Sequence, residues 1–164
     1  MIPSNCSFLR NEEQKGKIQR YINKFRQLGK EFTFSISVDG KIIEDFSRPL
    51  NNGEVKQDTF YEDMFLFAKH NVFYFHPMVS AHNIAYWKDN FLWWIENLEK
   101  YSMPPKALMM LEVRNDEWTK ETIDLYNDFM NFLIDWSIEK FGKRDFVDVL
   151  VGRITPNTSN HPWF

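Results

Sequence analysis

The sequence predicts an α/β fold in which parallel strands alternate with helices. Apolar residues recur at helical spacing in four separate segments, and short runs rich in β-branched and aromatic residues lie between them. This alternation is typical of parallel βαβ units, whose crossovers are right-handed and whose ligands bind at the carboxyl ends of the strands. Functional side chains are therefore expected directly after the strands.

Four segments have the periodicity of amphipathic helices: residues 12–28, 58–69, 84–101 and 118–141. Gly29 and Gly142 stand where helix C-caps belong, and Asp58 is a candidate N-cap. We expect the apolar stripe of each helix to face the core. In the first helix this stripe comprises Ile18, Tyr21, Ile22, Phe25 and Leu28.

The predicted strands are residues 1–5, 32–38, 72–79 and 107–113. The second stops at an Asp39-Gly40 turn, and the third contains Pro77, which should lie at or past the strand end. Strands and helices together give about four βα units over residues 1–142. Residues 143–164 are expected to be a poorly anchored tail or the start of a linker to a further C-terminal domain.

Composition restricts the class of protein. The chain has 164 residues, 43% of them apolar, and a net charge of −3 with both signs interspersed, which fits one domain and argues against nucleic acid as the main partner. Cys6 is the only cysteine, so the chain cannot form an internal disulfide or a cysteine-rich metal site. The sequence shows no secretory leader and no apolar run near the roughly 20 residues of a membrane span, so a cytoplasmic location is expected.

Polar residues follow each predicted strand. Hydroxyls and a guanidinium at one rim suit a ligand that carries a carboxylate and a ribose, since arginine pairs with carboxylates through a fixed fork of donors. This chemistry is binding rather than proton transfer. The candidates are Asn5 after the first strand, Ser35, Ser37, Asp39 and Arg48 after the second, His76 after the third, and Glu112 and Arg114 after the fourth.

These residues resemble a known family, the radical S-adenosylmethionine (radical SAM) enzymes, and within it the peptide-modifying SPASM-type subgroup. Ser37-Val38-Asp39-Gly40 followed by Arg48 is similar to the fourth-strand pattern of that group, and Ser4-Asn5-Cys6 is similar to its Thr-Asn-Gly after the third strand. The aromatic helix around Trp93-Trp94 and the segment 109–115 resemble its fifth helix and sixth strand. The similarity covers most of residues 1–141.

The resemblance implies an incomplete TIM-like (β/α)6 half-barrel that begins at the third strand. It implies that Ser37 and Arg48, with Ser35 and Asp39 beside them, bind S-adenosylmethionine. It places Asn5 and Glu112 on the side of a ribosomally made peptide substrate, and His76 and Arg114 are further candidates for that side from their positions at the strand ends. In the family, a 4Fe-4S cluster cleaves S-adenosylmethionine to a 5′-deoxyadenosyl radical, which abstracts hydrogen from the substrate.

The chain departs from the family in one decisive respect. It lacks the CxxxCxxC loop that binds the cluster, and one cysteine cannot replace three thiolate ligands. Lys41, Glu44 and Cys6 also stand where the pattern has proline, histidine and glycine. We therefore expect a fragment of a radical SAM enzyme that is inactive alone and self-associates through an uncovered sheet edge.

Other interpretations of the same residues remain open. The chain is alternatively a non-catalytic α/β binding or interaction module derived from such a barrel. An unrelated hydrolase ranks last, because no G-x-S-x-G or H-E-x-x-H motif is present. Asp39-Gly40 is also a common turn signal. A lone histidine such as His76 is more often structural. Glu112 and Arg114 have the spacing of two residues on one face of a strand, where they could form an ion pair.

Overall fold

The computed structural model describes residues 2–30, 33–44, 56–112 and 116–142. Strands and helices alternate along this part of the chain, which confirms the predicted α/β class. In chain order, the elements are β1 (Ile2–Ser4), α1 (Glu12–Gln27), β2 (Thr33–Ile36), α2 (Asp58–Lys69), β3 (Val72–Phe75), β4 (Met78–Val79), α3 (Trp87–Lys100), β5 (Leu111–Glu112) and α4 (Lys120–Phe141).

The described strands form two small parallel sheets, which are linked by a single bridge. In the first sheet, β1 pairs with β2 and β2 with β3, and in the second, β4 pairs with β5. A parallel bridge between Phe75 and Leu108 connects the end of β3 to the chain that leads into β5. Within each sheet, consecutive strands pair across a helical crossover, whereas β3 and β4 follow each other without a helix and do not pair.

Helices α2 and α3 pack on one face of the sheet through aromatic rings. The Phe75 ring of β3 lies 5.4 Å from Phe65 of α2 and 4.9 Å from Trp94 of α3, measured between centroids. Ile36 is the register partner of Phe75 in β2, so its side chain points to the same face, and both residues are fully buried. This face is the centre of the hydrophobic core.

Side-chain caps mark the starts of two of the four described helices, α1 and α4. The Asn11 side chain accepts from Gln14 N at 3.0 Å at the start of α1, and Thr119 and Thr122 form a capping box at the start of α4. Gly142 ends α4 with a positive φ. The prediction that Asp58 caps its helix is wrong: Gln57 is the N-cap and Asp58 is the first helical residue, where its charge suits the helix dipole.

Helix α1 is less buried than predicted. Ile22 is fully buried, but Tyr21, Phe25 and Leu28 of the predicted core stripe are 54%, 39% and 65% exposed. The reason is position, because α1 follows β1 and β1 is an edge strand of the described sheet. Only one side of the apolar stripe therefore meets the core.

The fourth predicted strand is shorter than residues 107–113. A 3-10 turn occupies Pro105–Ala107, and regular pairing is limited to Leu111–Glu112 and the bridge at Leu108. The third predicted strand is divided, because Pro77 has no N–H to donate between β3 and β4. No helix within the described ranges is long and apolar enough to cross a bilayer. The predicted tail, residues 143–164, lies outside the described residues.

Candidate functional site

Three residues predicted from the strand ends lie side by side. The register aligns Ser4 of β1, Ile36 of β2 and Phe75 of β3, so the next residues, Asn5, Ser37 and His76, form a row across neighbouring strands. Ser37 N donates to the Ser4 carbonyl at 2.7 Å, and His76 N donates to the Ile36 carbonyl at 2.7 Å, which continues the ladder into this row. Parallel strands are about 4.8 Å apart, so one small ligand can span the row.

Ser37 and His76 lie on the face of the sheet opposite the helices. Side chains alternate along a strand, and since Phe75 faces α2 and α3, Tyr74 and His76 face the other way. Ser35 pairs in register with Tyr74, and these four residues define what we call the polar face: Ser35, Ser37, Tyr74 and His76. Ser35 is buried, whereas the other three are partly exposed. The polar face therefore presents hydroxyls and one imidazole to a ligand.

The imidazole of His76 has an unused polar atom. Its Nε2 is buried and has no hydrogen-bond partner among the described residues. Burial lowers the pKa of His76 from its ordinary value of 6.5, so the ring is neutral at neutral pH. A neutral imidazole both accepts and donates hydrogen bonds, and a bound ligand at this rim would satisfy Nε2.

Asp39 and Gly40 have a structural role in the turn after β2. The fully buried Asp39 accepts from Met78 N through Oδ1 at 2.8 Å, which holds the start of β4. Its carbonyl accepts from Asn90 Nδ2 at 2.7 Å and from Trp94 Nε1 at 3.2 Å, which ties the turn to α3. These contacts account for the Asp-Gly pair without a ligand. The cofactor-binding role of Asp39 stays a prediction.

A buried ion pair supports the same turn. Glu44 is 1% exposed, accepts a hydrogen bond from Asp39 N and pairs with the buried Lys56 Nζ. Burial raises the pKa of Glu44, while its contact with Lys56 acts in the opposite direction. Sequence reasoning missed this pair because two residues twelve apart in sequence show no periodic signal.

Cys6 is a poor ligand for a metal cluster. The side chain is fully buried, and burial raises the pKa of its thiol to about 12, so the thiol stays protonated at neutral pH. Its backbone has a positive φ of 60°, a conformation that favours glycine. Cluster ligands are thiolates, and the described surroundings of Cys6 do not produce one.

The other predicted site residues are spread more widely. Asn5 is exposed, and its Oδ1 accepts from Ser7 N at 3.1 Å in a local turn. Glu112 belongs to β5 and pairs in register with Val79. Arg48 and Arg114 lie outside the described residues. The row thus contains Asn5, Ser37 and His76. Tyr74 also belongs to the polar face, although the sequence did not predict it as a site residue.

A separate groove of about 620 Å³ lies outside the row, between the starts of α1 and α2. Arg10 lies 5.5 Å over the Phe60 ring at its edge, and Glu12 and Asp63 also line it. Both signs of charge meet there, so its chemistry does not select a ligand class. The polar face is the better candidate site.

Neither a metal-binding group within the described ranges nor a similar known protein supports the choice of the polar face as the candidate site. Within the described ranges, no group of three or more His, Cys, Asp or Glu side chains is arranged to hold a metal ion. Comparison with known proteins finds no matching family model, no similar curated protein and no similar solved structure. The candidate site therefore rests on the geometry of this chain.

Proposed function

We propose that this chain is part of a radical SAM half-barrel and that its polar face binds S-adenosylmethionine. The observation that supports the proposal most strongly is the row of Asn5, Ser37 and His76 at the carboxyl ends of three consecutive parallel strands. In (β/α) barrels the helices cover the outer face of a parallel sheet and ligands bind at the carboxyl ends of the strands, which is where this row lies.

The chemistry of the polar face suits the proposed ligand. S-adenosylmethionine carries a carboxylate, an ammonium group and two ribose hydroxyls, and the hydroxyls of Ser35 and Ser37 can donate to or accept from them. The unused Nε2 of His76 is a further partner in the same row. By the family resemblance, Arg48 supplies the guanidinium for the carboxylate. These groups bind and orient the ligand.

The cluster chemistry is not assigned to this chain. A bound 4Fe-4S cluster supplies the electron that cleaves S-adenosylmethionine, but the protonated, buried Cys6 does not fit as its ligand. The proposal is therefore that the chain provides cofactor and substrate contacts within a larger radical SAM enzyme acting on a peptide. Hydrogen abstraction would require cluster ligands from outside the sequence given.

Calorimetric titration of the purified chain with S-adenosylmethionine tests the proposal. We expect saturable binding that Ser37→Ala weakens about fivefold to tenfold, the effect of losing one hydrogen bond of about 1 kcal/mol. Ser7→Ala is the matched control, since Ser7 is exposed on the turn after β1 and lies off the polar face. Equal affinity in the two variants would contradict the assigned site.

A second candidate is a non-catalytic interaction module built on part of the barrel. The contacts of the Asp39-Gly40 turn favour it, because hydrogen bonds from α3 and β4 already use the polar groups of this motif. In that case the folded chain would give no heat of binding with S-adenosylmethionine. The same titration therefore separates the two candidates.

A further inference from the structure

The loop that follows β4 holds an exposed histidine beside a largely buried carboxylate. His82 Nε2 lies 3.3 Å from Asp116 Oδ1, and the two side chains are 77% and 12% exposed. The His82 side chain has no other polar contact within the described residues, so its Nδ1 is open to solvent. An imidazole with one nitrogen beside a carboxylate and the other nitrogen open is the arrangement of a base that an acidic partner orients.

Two backbone donors hold the Asp116 carboxylate in place. Ala81 N donates to Asp116 Oδ2 at 2.7 Å, and Glu117 N donates to Asp116 Oδ1 at 3.0 Å. Hydrogen bonds to a carboxylate are among the stronger ones in proteins, so the orientation of this group is well determined. The oxygen Oδ1 is thereby kept beside the imidazole, where it can stabilise the positive charge that forms when His82 accepts a proton.

The loop itself is fixed by the residue next to His82. Asn83 is 1% exposed, and its Oδ1 accepts from Ser80 N and from Trp87 Nε1, both at 2.8 Å. Its Nδ2 donates to the Met78 carbonyl at 2.9 Å. These bonds tie the loop to β4 and α3, whereas the exposed His82 side chain supports no other part of the described fold. A side chain presented on a rigid loop is pre-organised for contact with a ligand.

Both residues lie at the carboxyl ends of the strands. Val79 of β4 and Glu112 of β5 are register partners, and His82 and Asp116 follow them by three and four residues. Strand β3 runs in the same direction, because its end forms a parallel bridge to the chain that leads into β5. The histidine and the carboxylate therefore lie at the end of the strands where α/β sheets bind ligands, although neither belongs to the polar face.

We propose that His82 is a general base toward water in the hydrolysis of an ester or other acyl compound, with Asp116 as its positioning residue. Nδ1 accepts a proton from the water, whose oxygen forms a bond to the acyl carbon. The imidazolium faces the Asp116 carboxylate and returns the proton to the leaving oxygen as its bond to the acyl carbon breaks. This inference does not depend on the proposed function, which concerns different residues.

Hydrolysis of p-nitrophenyl acetate by the purified chain tests the base. We expect His82→Gln to slow it about tenfold, a modest share of the roughly 10²–10⁴-fold that a general base contributes in enzymes. Asp116→Asn should slow it less. The double variant should be no slower than His82→Gln alone, because Asp116 acts only through the imidazole. The wild-type reaction should also be slower in heavy water, since the water proton moves in the rate-limiting step. Circular dichroism checks that each variant is folded.

His70→Gln is the matched control, because His70 is also an exposed histidine but its side chain has no carboxylate partner within the described residues. This control should hydrolyse the ester at the wild-type rate. The proposal would be overturned by a wild-type rate no faster than that of buffer, or by an unchanged rate in His82→Gln. It would also be overturned if the two single losses multiplied in the double variant, or if heavy water had no effect.

Discussion

Replacing Gly40 with alanine should destabilise the fold more than any other substitution of a described glycine. Gly40 has φ +107°, a backbone conformation that residues with a side chain rarely adopt. An added Cβ would lie 2.5 Å from Asn90 Oδ1 and 2.6 Å from Trp94 Nε1, well inside contact distance. Both side chains belong to α3, and both donate to the carbonyl of Asp39.

The cost has two parts. Backbone strain at a position of this kind costs about 1–3 kcal/mol. Displacing Asn90 and Trp94 also weakens two hydrogen bonds, each of which contributes about 1 kcal/mol. We therefore expect Gly40→Ala to lower the free energy of unfolding by about 3–5 kcal/mol, a large part of the stability of a small domain.

Urea denaturation followed by tryptophan fluorescence measures this difference. Gly29→Ala is the matched control, because Gly29 also has a positive φ of +64° but no atom lies within 4 Å of its added Cβ. The control should lose only the strain of a left-handed residue, about 1–2 kcal/mol. If Gly40→Ala were no less stable than Gly29→Ala, the close packing of α3 on the turn would be refuted.

Two further predictions concern buried ionisable groups. Glu44→Gln should lower the free energy of unfolding by about 3–5 kcal/mol, because it leaves Lys56 buried without its charge partner. Adding Lys56→Met should recover most of this loss. A double variant as unstable as the single one would contradict the prediction. Since burial lowers the pKa of His76 below its ordinary value of 6.5, the unfolded chain takes up a proton that the folded chain resists, so stability should fall as the pH drops through 6.5. His76→Gln should reduce that slope, and an unchanged slope in urea denaturation around this pH would count against a buried neutral imidazole.

The order and type of the elements could be predicted from the sequence because their signals are local. The helix predicted over residues 58–69 has those bounds in the structure. Its apolar periodicity and the polar or strand-like residues on either side indicate the same two ends. The exposure of α1 could not be predicted, because periodicity identifies an apolar face but not whether a neighbour covers it. The shortening of the strand at 107–113 likewise depends on tertiary pairing.

The candidate site was partly predictable for the same reason. Strand ends meet at one rim in a parallel sheet, which is why Asn5, Ser37 and His76 were expected near one another, and the register aligns the residues that precede them. The sequence did not indicate that Glu44 and Lys56 form a buried pair, because this contact depends on tertiary packing. Nor did it show that Asn90 and Trp94 fix the Asp39 carbonyl from α3.

The break at Pro77 explains why His76 occupies its position. The ladder between β2 and β3 ends where His76 N donates to the Ile36 carbonyl, because Pro77 has no N–H to continue it. The next donor, Met78 N, donates to the Asp39 carboxylate in place of a partner in β2, while β4 pairs with β5 on the side where Phe75 already bridges Leu108. Regular pairing with β2 therefore ends directly after His76. Ligands of open α/β sheets bind at the carboxyl ends of the strands, and the unused Nε2 of His76 belongs to the residue at which pairing with β2 ends.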